Sequence, residues 1–363
     1  MYWTSIKRWT VGCAPKRDPA DLAMLASPDR PQHVPLAVVT RSDRIESVHY
    51  GSIAVVENAG RLIYHLGDPQ AMVFTRSACK PFQALPLIAR EAVARFGFTA
   101  QEIAVICASH SGEPRHLEAV LNILGKIGCS KADLQCGVHT PLYYEALGRQ
   151  PKAEEVFTPL HHTCSGKHAG MLALCRLLGA PIENYMAQDH PVQKAILEAV
   201  AHLSGVPRAQ VGAGIDGCGV PTFALPLSAL ALSYARLAND AADAQYGQAP
   251  QIIFSAMTEH PEMVSGIKRL DLALMHTGQG DWVTKAGAEG IQGIGIRSRG
   301  WGLAVKIADG AARALPAVTV EVLGQLGLLP APIDLALAPF GSPPITNSRG
   351  VTTGEVRPVF KLS

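Results

Sequence analysis

The sequence has little charge and no excess of either sign. Only 17% of its 363 residues are charged, compared with roughly 25% in an average soluble protein, and 32 Lys and Arg against 30 Asp and Glu leave a net charge of +2. Nucleic acids and acidic membrane surfaces are bound through clustered, excess Lys and Arg. The low and balanced charge therefore excludes both as expected partners.

Long apolar runs and dense cysteines are also missing. The longest charge-free stretch, residues 217–235, contains two prolines and is a poor candidate for a membrane span. The first 21 residues mix charged with apolar side chains and lack the continuous apolar region of a secretory signal. Eight cysteines in a chain of this length are too few for a disulfide framework, so we expect thiols or metal ligands. Together these absences predict a cytoplasmic protein.

Apolar patterning divides the chain into sheet-forming and helical parts. Residues 1–33 hold several prolines among charges without a periodic apolar pattern and predict a weakly ordered extension. Residues 35–66 alternate β-forming runs with turn residues, and strand-like runs return after residue 280. We expect a sheet subdomain from about 34–76 and 280–363, with a helical subdomain from about 77–279 inserted into it. Apolar residues recur at helical spacing in five segments: 117–124, 168–178, 191–204, 248–259 and 309–326.

A serine and a lysine three residues apart form the sharpest local motif. Ser77 and Lys80 follow the strand-like run 72–74, and Pro81 is tolerated only in a first helical turn, so a helix is predicted to start near Ser77. At that spacing both side chains face the same side of the helix. A lysine that burial or a neighbouring cation keeps neutral can take the proton of a serine hydroxyl. The spacing also occurs by chance, so the pair alone fits a helix cap as well as a catalytic site.

Two further elements follow in the order expected for serine–lysine enzymes. Ser109 belongs to a Ser-His-Ser-Gly segment after an apolar run, residues 103–107, which has the pattern of a buried strand. Lys285 lies in a late predicted strand before Ala286 and Gly287, which resembles a Lys-Thr-Gly element with alanine in place of threonine. Ser-x-x-Lys, Ser and Lys-x-Gly on a helix, a loop and a strand repeat the arrangement of penicillin-recognising enzymes. Their order favours a catalytic site.

Cysteines, a lysine and histidines form a second cluster. Cys164 lies at the predicted N-terminus of the helix 168–178, where the positive end of the helix dipole stabilises a thiolate. Cys218 follows Asp216 in a glycine-rich turn further along the chain. A thiolate in such a place can attack a substrate or bind a metal, but single cysteines from two loops also fit two buried thiols. The patterns alone leave that choice open.

Six motifs in sequence order together resemble the rhizobial-type L-asparaginase family, often called asparaginase II. The matching segments are residues 74–81, 108–113, 161–168, 216–219, 260–264 and 285–290. The resemblance runs from about residue 35 to the C terminus. It implies an α/β fold similar to that of serine β-lactamases and their glutaminase relatives. In that fold a mixed, largely antiparallel sheet is flanked by helices and lies beside a helical domain.

The resemblance also implies an activity and the residues that carry it. The expected reaction is hydrolysis of the small molecule L-asparagine to L-aspartate and ammonia. The two serine–lysine pairs of the family fall here on Ser77 with Lys80 and on Ser109 with Lys285. A homodimer is a further implication. The residues expected to contact the substrate are Arg76, His168 and Asp216.

A zinc ion is the cofactor that the resemblance implies. Its ligands match Cys164, Lys167 and Cys218, with a water completing the shell. A lysine ligand must be neutral to donate its lone pair, which fits a site where a dication depresses its pKa. The sequence departs from the family at Asp271, where some relatives carry a further cysteine, so no role for a third thiol is carried over.

Three alternatives share parts of these motifs. A serine amidohydrolase similar to β-lactamases or D-alanyl peptidases uses the same serine–lysine chemistry, but such enzymes are normally exported and no secretory signal is recognisable. A glutaminase differs from an asparaginase in a substrate preference that these residues do not specify. A non-catalytic receptor of the same fold needs no activated hydroxyl, so retention of both serine–lysine pairs argues against it.

Overall fold

The computed structural model describes residues 30–330 and 332–362. The predicted weakly ordered extension, residues 1–33, therefore lies outside the described residues except for its last positions, residues 30–33. Within the described part of the chain, no helix is both long enough and apolar enough to cross a membrane.

Eleven strands of the described residues divide between two antiparallel sheets. They are β1 (Val34–Arg41), β2 (Arg44–Glu57), β3 (Leu62–Leu66), β4 (Met72–Phe74), β5 (Gly212–Ile215), β6 (Pro221–Pro226), β7 (Trp282–Gly287), β8 (Ile291–Ile296), β9 (Trp301–Ile307), β10 (Pro344–Thr346) and β11 (Thr352–Pro358). The large sheet has the order β10-β11-β1-β2-β9-β8-β7, with β3 paired to β2. β1 and β11 are neighbours, with Val38 opposite Arg357. The prediction that the first and last segments share one sheet is confirmed.

The small sheet has the order β4-β6-β5. Its strands β5 and β6 lie in the predicted helical part, residues 77–279, which is therefore not wholly helical. β5 reads Gly-Ala-Gly-Ile, and its one β-branched residue, Ile215, is not the run of β-branched and aromatic residues that usually identifies a strand. Gly214 leaves room for the Phe74 ring of β4, which reaches β5 across β6, because a Cβ at Gly214 would lie 3.1 Å from Cε1 of that ring. A close approach, rather than an alternating pattern, characterises this strand.

Helices cover both faces of the large sheet. They are α1 (Lys80–Ile88), α2 (Ala92–Phe96), α3 (Ala100–Ile106), α4 (Pro114–Lys126), α5 (Tyr143–Leu147), α6 (Ser165–Leu178), α7 (Pro191–Ser204), α8 (Leu227–Leu237), α9 (Ala249–Glu259), α10 (Pro261–Val264), α11 (Leu270–Gly278), α12 (Ala314–Gln325) and α13 (Ala338–Gly341). The five predicted helices correspond to α4, α6, α7, α9 and α12. The predicted α/β class with a largely antiparallel sheet is confirmed.

Residues 103–107, predicted as a buried strand, instead belong to helix α3 or follow its end, so that prediction is wrong. The helix begins with a capping box: the Glu102 amide donates to the Thr99 hydroxyl (3.2 Å), and the Thr99 amide donates to the Glu102 carboxylate (2.7 Å). This Thr-x-x-Glu signal was available in the sequence. The helix is buried on nearly every side, so its apolar run lacks the polar face that distinguishes a helix from a strand.

Two apolar cores lie on opposite faces of the large sheet. Alternate residues of β2 face them, with Ile53 in the core beneath α12 and Val56 in the core beneath the helical layer. Helix α8 comes close to the sheet because Gly302 has no side chain. A Cβ at this position would overlap the carbonyl of Ala231. The edge strand β7 contacts the segment that leads into α1. The candidate site lies at this junction.

Candidate active site

A tight 3₁₀ turn, Arg76–Cys79, places Ser77 between β4 and α1. Arg76 has a φ of 47°, in the left-handed region that residues other than glycine seldom adopt. Its Nε lies 2.8 Å from Oδ1 of Asp216, which holds the residue in this conformation. Tyr234 fixes the turn from the other side by donating its hydroxyl to the carbonyl of Ala78 at 2.7 Å. Half-buried Ser77 thus lies in a firmly held segment.

Lys80 carries a buried amine that contacts a different serine from the expected one. Its side chain is almost completely buried, and its Nζ donates hydrogen bonds to the Ser109 hydroxyl at 2.9 Å and to the carbonyl of Ala108. Among the described residues, the Ser77 hydroxyl has no hydrogen bond to Lys80. A buried amine needs acceptors, and the loop after α3 supplies them. The contact between Lys80 and Ser109 therefore differs from the expected pairing of Ser77 with Lys80.

The loop between α3 and α4 that carries Ser109 is anchored by its own polar groups. The Ser109 amide donates to the carbonyl of Val264 at 3.0 Å. The Ser111 hydroxyl donates to the carbonyl of Ser265 at 2.7 Å. These bonds connect the loop to the end of α10, so Ser109 is presented from a fixed backbone.

His110 anchors the same loop rather than facing a substrate. Its Nδ1 accepts the Gly112 amide at 3.1 Å, so the ring proton lies on Nε2 and is donated to the Ser165 hydroxyl at 2.8 Å. The Ser165 hydroxyl in turn donates a hydrogen bond to the carbonyl of Leu160 at 2.8 Å. Burial lowers the pKa of His110, which keeps the ring neutral in this chain of bonds. The loop is thereby tied to the start of α6.

Lys285 reaches the site from the edge strand β7. The side chain is fully buried, and its Nζ donates to the carbonyl of Ala286 at 2.6 Å and lies 3.5 Å from Oδ2 of Asp271. No hydrogen bond joins it to Ser109 within the described residues. Gly287 allows the strand to lie against the Ser77 turn, because a Cβ there would be 2.9 Å from the carbonyl oxygen of Thr75. The expected pairing of Ser109 with Lys285 is thus not a direct contact here.

Asp271 is a buried carboxylate at the position where the sequence departs from the family pattern. It lies in the first turn of α11 and contacts Lys285 from behind β7. No local motif marks it, since an acidic residue in a first helical turn is common for reasons of the helix dipole alone. Its partner is 14 positions away in the sequence. Only the folded chain brings the two charges together.

The second cluster assembles at the N-terminus of α6. Cys164 caps this helix, Lys167 lies one turn further, and Cys218 comes from the turn after β5. The Lys167 amine lies 2.9 Å from Sγ of Cys218 and 3.8 Å from Oδ2 of Asp216. All three proposed ligand side chains are buried. The structure therefore brings the predicted zinc ligands into one cluster, next to the Arg76–Asp216 ion pair.

The ionisation of this cluster follows from its contacts. A hydrogen bond between the two thiols lowers the pKa of Cys164 and raises that of Cys218. Burial alone would lower the pKa of Lys167, but the nearby Cys164, Cys218 and Asp216 raise it. Without a metal the cluster thus pairs a thiolate with an ammonium group. The charges of the ligand set balance inside the protein.

The donor chemistry of the cluster fits a zinc ion. Cysteine sulfurs and a nitrogen are ligands that zinc prefers, and two thiols with one amine leave a fourth tetrahedral position open. Nearby His168 is fully buried, with Nδ1 2.7 Å from the Tyr185 hydroxyl and Nε2 without a hydrogen-bond partner. Within the described residues, no group of three His, Cys, Asp or Glu side chains is arranged to hold a metal. A site here therefore depends on the lysine as third ligand.

A cleft of about 710 Å³ opens beside the β7–β8 turn. It is bordered by Asp271, Ala286 and Gly287, and by the helix α5 on the opposite side. Arg269 and Glu289 add charged groups to its walls. The cleft reaches the end of β7 but is not lined by Ser77, Lys80, Ser109 or Lys285.

Hydroxyl groups next to buried amines are the groups that an amide-cleaving enzyme needs, because one attacks and the other moves protons. These groups fit the chemistry of the amidohydrolases. The chain belongs to the L-asparaginase II family, whose sequence pattern matches residues 37–358. The resemblance inferred from the six motifs is confirmed.

Solved structures with a similar arrangement share little sequence with this chain. Mglu in its glutamate form is 14% identical with a TM-score of 0.42, over 77% of this chain and 61% of the Mglu chain. A putative β-lactamase from Bacteroides dorei is 12% identical with a TM-score of 0.42, over 76% of this chain and 93% of that chain. A β-lactamase from Mycobacterium bovis is 15% identical with a TM-score of 0.31, over 76% and 94%. The chain thus spans about 61% of the length of Mglu, and no curated protein sequence matches it.

Proposed function

We propose that this protein hydrolyses the side-chain amide of L-asparagine to L-aspartate and ammonia. Membership of the family supports the reaction class. The observation that carries the proposal is the placement of two buried lysine amines, Lys80 and Lys285, around the turn that bears Ser77. Burying an amine costs free energy, so two buried amines beside one turn indicate a functional role. Proton transfer in an enclosed site is such a role.

Ser77 is the proposed nucleophile. Its hydroxyl oxygen bonds to the carboxamide carbon while its proton passes to Lys80, and the carbonyl electrons move onto the amide oxygen. Backbone N–H groups of the turn before α1, including that of Ser77, hold this oxygen. When the carbonyl re-forms, the C–N bond breaks and the nitrogen leaves as ammonia after taking up a proton. Water then cleaves the aspartyl ester, which releases aspartate and restores Ser77.

The bond between Lys80 and Ser109 supports a specific path for the proton. The proton that Lys80 takes from Ser77 passes to the Ser109 hydroxyl, which gives its own proton to Lys285. Lys285 is proposed as the group that supplies the proton to the leaving nitrogen. Catalytic hydrogen bonds are often longer before the substrate binds, so a bound substrate is expected to complete the path.

The proposed zinc ligands are Cys164, Lys167 and Cys218. Binding requires the loss of the proton of Cys218 and of the extra proton of Lys167. When bound, zinc supplies a Lewis acid that polarises a carbonyl group or orients the substrate. The residues proposed to contact the amino and carboxylate groups of asparagine are Arg76, His168 and Asp216. Asp216 bonds only Nε of Arg76, which leaves further guanidinium N–H groups for a carboxylate.

The test is ammonia release by the purified protein from L-asparagine and L-glutamine, together with ring opening of a chromogenic β-lactam followed by its absorbance change. We expect turnover of asparagine to exceed that of glutamine, with no β-lactam hydrolysis. The Ser342→Ala variant is the matched control, because Ser342 is exposed and lies next to β10, at the sheet edge opposite β7. Preference for glutamine would assign the alternative function, and binding of asparagine without release of ammonia would favour the receptor. The cytoplasmic location and the homodimer stay predictions.

A further inference from the structure

The Asp271 carboxylate is enclosed by hydrogen-bond donors. It is 2% exposed, and Oδ1 accepts the Thr284 hydroxyl at 3.0 Å and Nε2 of Gln292 at 2.9 Å. Oδ2 accepts the backbone amide of Ala286 at 2.9 Å and lies 3.5 Å from Nζ of Lys285. Both oxygens are therefore directed at β7 and β8. The side chain links α11 to the strand that carries Lys285.

These contacts require the charged form of the carboxylate. Burial alone would raise the pKa of Asp271, but the charge of Lys285 and the bonds from Ala286 and Gln292 hold it below its ordinary value. The amide oxygen of Gln292 is buried without a partner, which is the cost of turning the amide nitrogen toward the carboxylate. A protonated Asp271 would place its own hydrogen against a donor. The anion is the form that the surroundings select.

Lys285 faces two anionic and two cationic groups. The charged groups that face it are Asp271 from α11, Lys80 from α1, Arg269 beside α11 and Cys164 from the start of α6. Asp271 is the carboxylate in contact, and Lys80 and Arg269 act against protonation of Lys285. Loss of the Asp271 charge would leave a buried amine beside cations. Such an amine releases its proton and is free to change its rotamer.

We propose that Asp271 is a positioning residue of the active site, which holds the Lys285 amine protonated and directed along the end of β7. The inference rests on the proposed role of Lys285 as the proton donor to the leaving nitrogen. Asp271 itself acts through Lys285 and the backbone of β7.

The test compares the pH dependence of kcat for Asp271→Asn with that of Gln292→Met. Asp271→Asn removes the charge at constant shape, whereas Gln292→Met removes the hydrogen bond to Oδ1 of Asp271 and leaves the charge. We expect the basic limb of the kcat profile to move to lower pH by about one unit or more in Asp271→Asn, with KM little changed. Gln292→Met should keep the limb of the wild type. An unmoved limb in folded Asp271→Asn, or equal shifts in both variants, would overturn the inference.

A second variant covers the case in which Asp271→Asn fails to fold. The double variant Asp271→Asn/Lys285→Met removes both buried charges, and we expect it to recover folding as measured by circular dichroism and thermal unfolding. An unfolded double variant would contradict the pairing of the two residues. Lys285→Met alone separates the two hypotheses. If it keeps the ammonia release of the wild type, the proposed role of Lys285 is wrong; if it is inactive, the Asp271 comparison decides the positioning role.

Discussion

The amine of Lys80 lies 2.9 Å from the hydroxyl of Ser109 and donates a hydrogen bond to it. This bond joins the turn of Ser77 to a loop 29 residues further along the chain. Because the Ser109 hydroxyl and the Ala108 carbonyl accept from the amine, Lys80 is held in place without using Ser77. The Ser77 hydroxyl thus stays available to a substrate. The proposed proton-transfer groups, Lys80 and Ser109, therefore come from two chain segments rather than from one helix.

A double-mutant cycle tests this relationship. Lys80→Met and Ser109→Ala each remove one partner, and we expect each to lower kcat by roughly 10²-fold or more because both interrupt the same proton path. The double variant should be little slower than the single ones, since the second substitution removes a group that no longer functions. The measurement is kcat for asparagine in all four proteins. Fully multiplicative losses would show that the two side chains act independently.

Ser77→Ala should abolish turnover without unfolding the protein. Loss of a nucleophile commonly costs on the order of 10³-fold or more in kcat. The half-buried hydroxyl has no hydrogen bond within the described residues, so its removal should leave the thermal midpoint and the zinc content unchanged. Ammonia release is measured beside the Ser342→Ala control. Near-normal activity of Ser77→Ala would pass the nucleophile role to Ser109.

Local sequence patterns predicted most of the elements that frame the site. α7 has the predicted bounds and β8 lies among the strands predicted after residue 280, because a helical apolar period between Pro191 and Gly205 and an apolar run between turn residues are both local signals. The sequence likewise predicted helix α6 with Cys164 at its start. The sequence did not predict the nearly buried helix α3. Burial on almost every side removes the apolar–polar period that distinguishes a helix from a strand.

The connections inside the site could not be predicted from local patterns. The Lys80–Ser109 bond and the Asp271–Lys285 ion pair join residues from different elements, and each depends on how helices and strands pack. The motifs indicated the residues of the proposed site around Ser77. They did not specify which hydroxyl each amine contacts, since that choice follows from where a buried amine finds acceptors. Pairing is a property of packing and not of spacing.

Gly287 should be essential for the contact between β7 and the Ser77 turn. In Gly287→Ala the added Cβ would lie 2.9 Å from the Thr75 carbonyl and 3.1 Å from the Ala78 amide, and both are backbone atoms that cannot rotate away. We expect a loss of about 1–3 kcal/mol in the free energy of unfolding, together with a fall in kcat. Gly125→Ala on α4 is the control, because nothing lies within 4 Å of its Cβ. Unchanged kcat in Gly287→Ala would mean that the strand does not position Lys285.

The activity should fall as the pH rises above about 8. Burial lowers the pKa of Lys285 to about 8, although Asp271 opposes the shift, so the protonated donor is lost above that pH. Titration of Lys285 does not itself unfold the protein at high pH. In the unfolded chain this lysine keeps its proton up to about pH 10.5, so between about pH 8 and 10.5 a rise in pH favours the folded state. The measurement is kcat from pH 6 to 10 with thermal stability at each pH. A kcat that keeps rising past pH 9 would exclude Lys285 as the proton donor.

The protein should bind one zinc ion per chain through Cys164, Lys167 and Cys218. The two sulfurs and the amine lie in one buried cluster, and replacing either thiolate by a hydroxyl removes a strong ligand from a set of only three. We expect Cys164→Ser and Cys218→Ser to lose most of the metal, as measured by elemental analysis after dialysis.

Two further variants make the assignment specific. Lys167→Met should also lose zinc, because a thioether does not replace the amine that contacts Cys218. Cys129→Ser should keep it, since that half-buried thiol contacts Arg176 and lies outside the cluster. Full zinc content in both Cys164→Ser and Cys218→Ser would return these residues to the role of buried thiols. If the metal is lost but ammonia release persists, zinc orients the substrate and the serine and lysine residues break the amide bond without it.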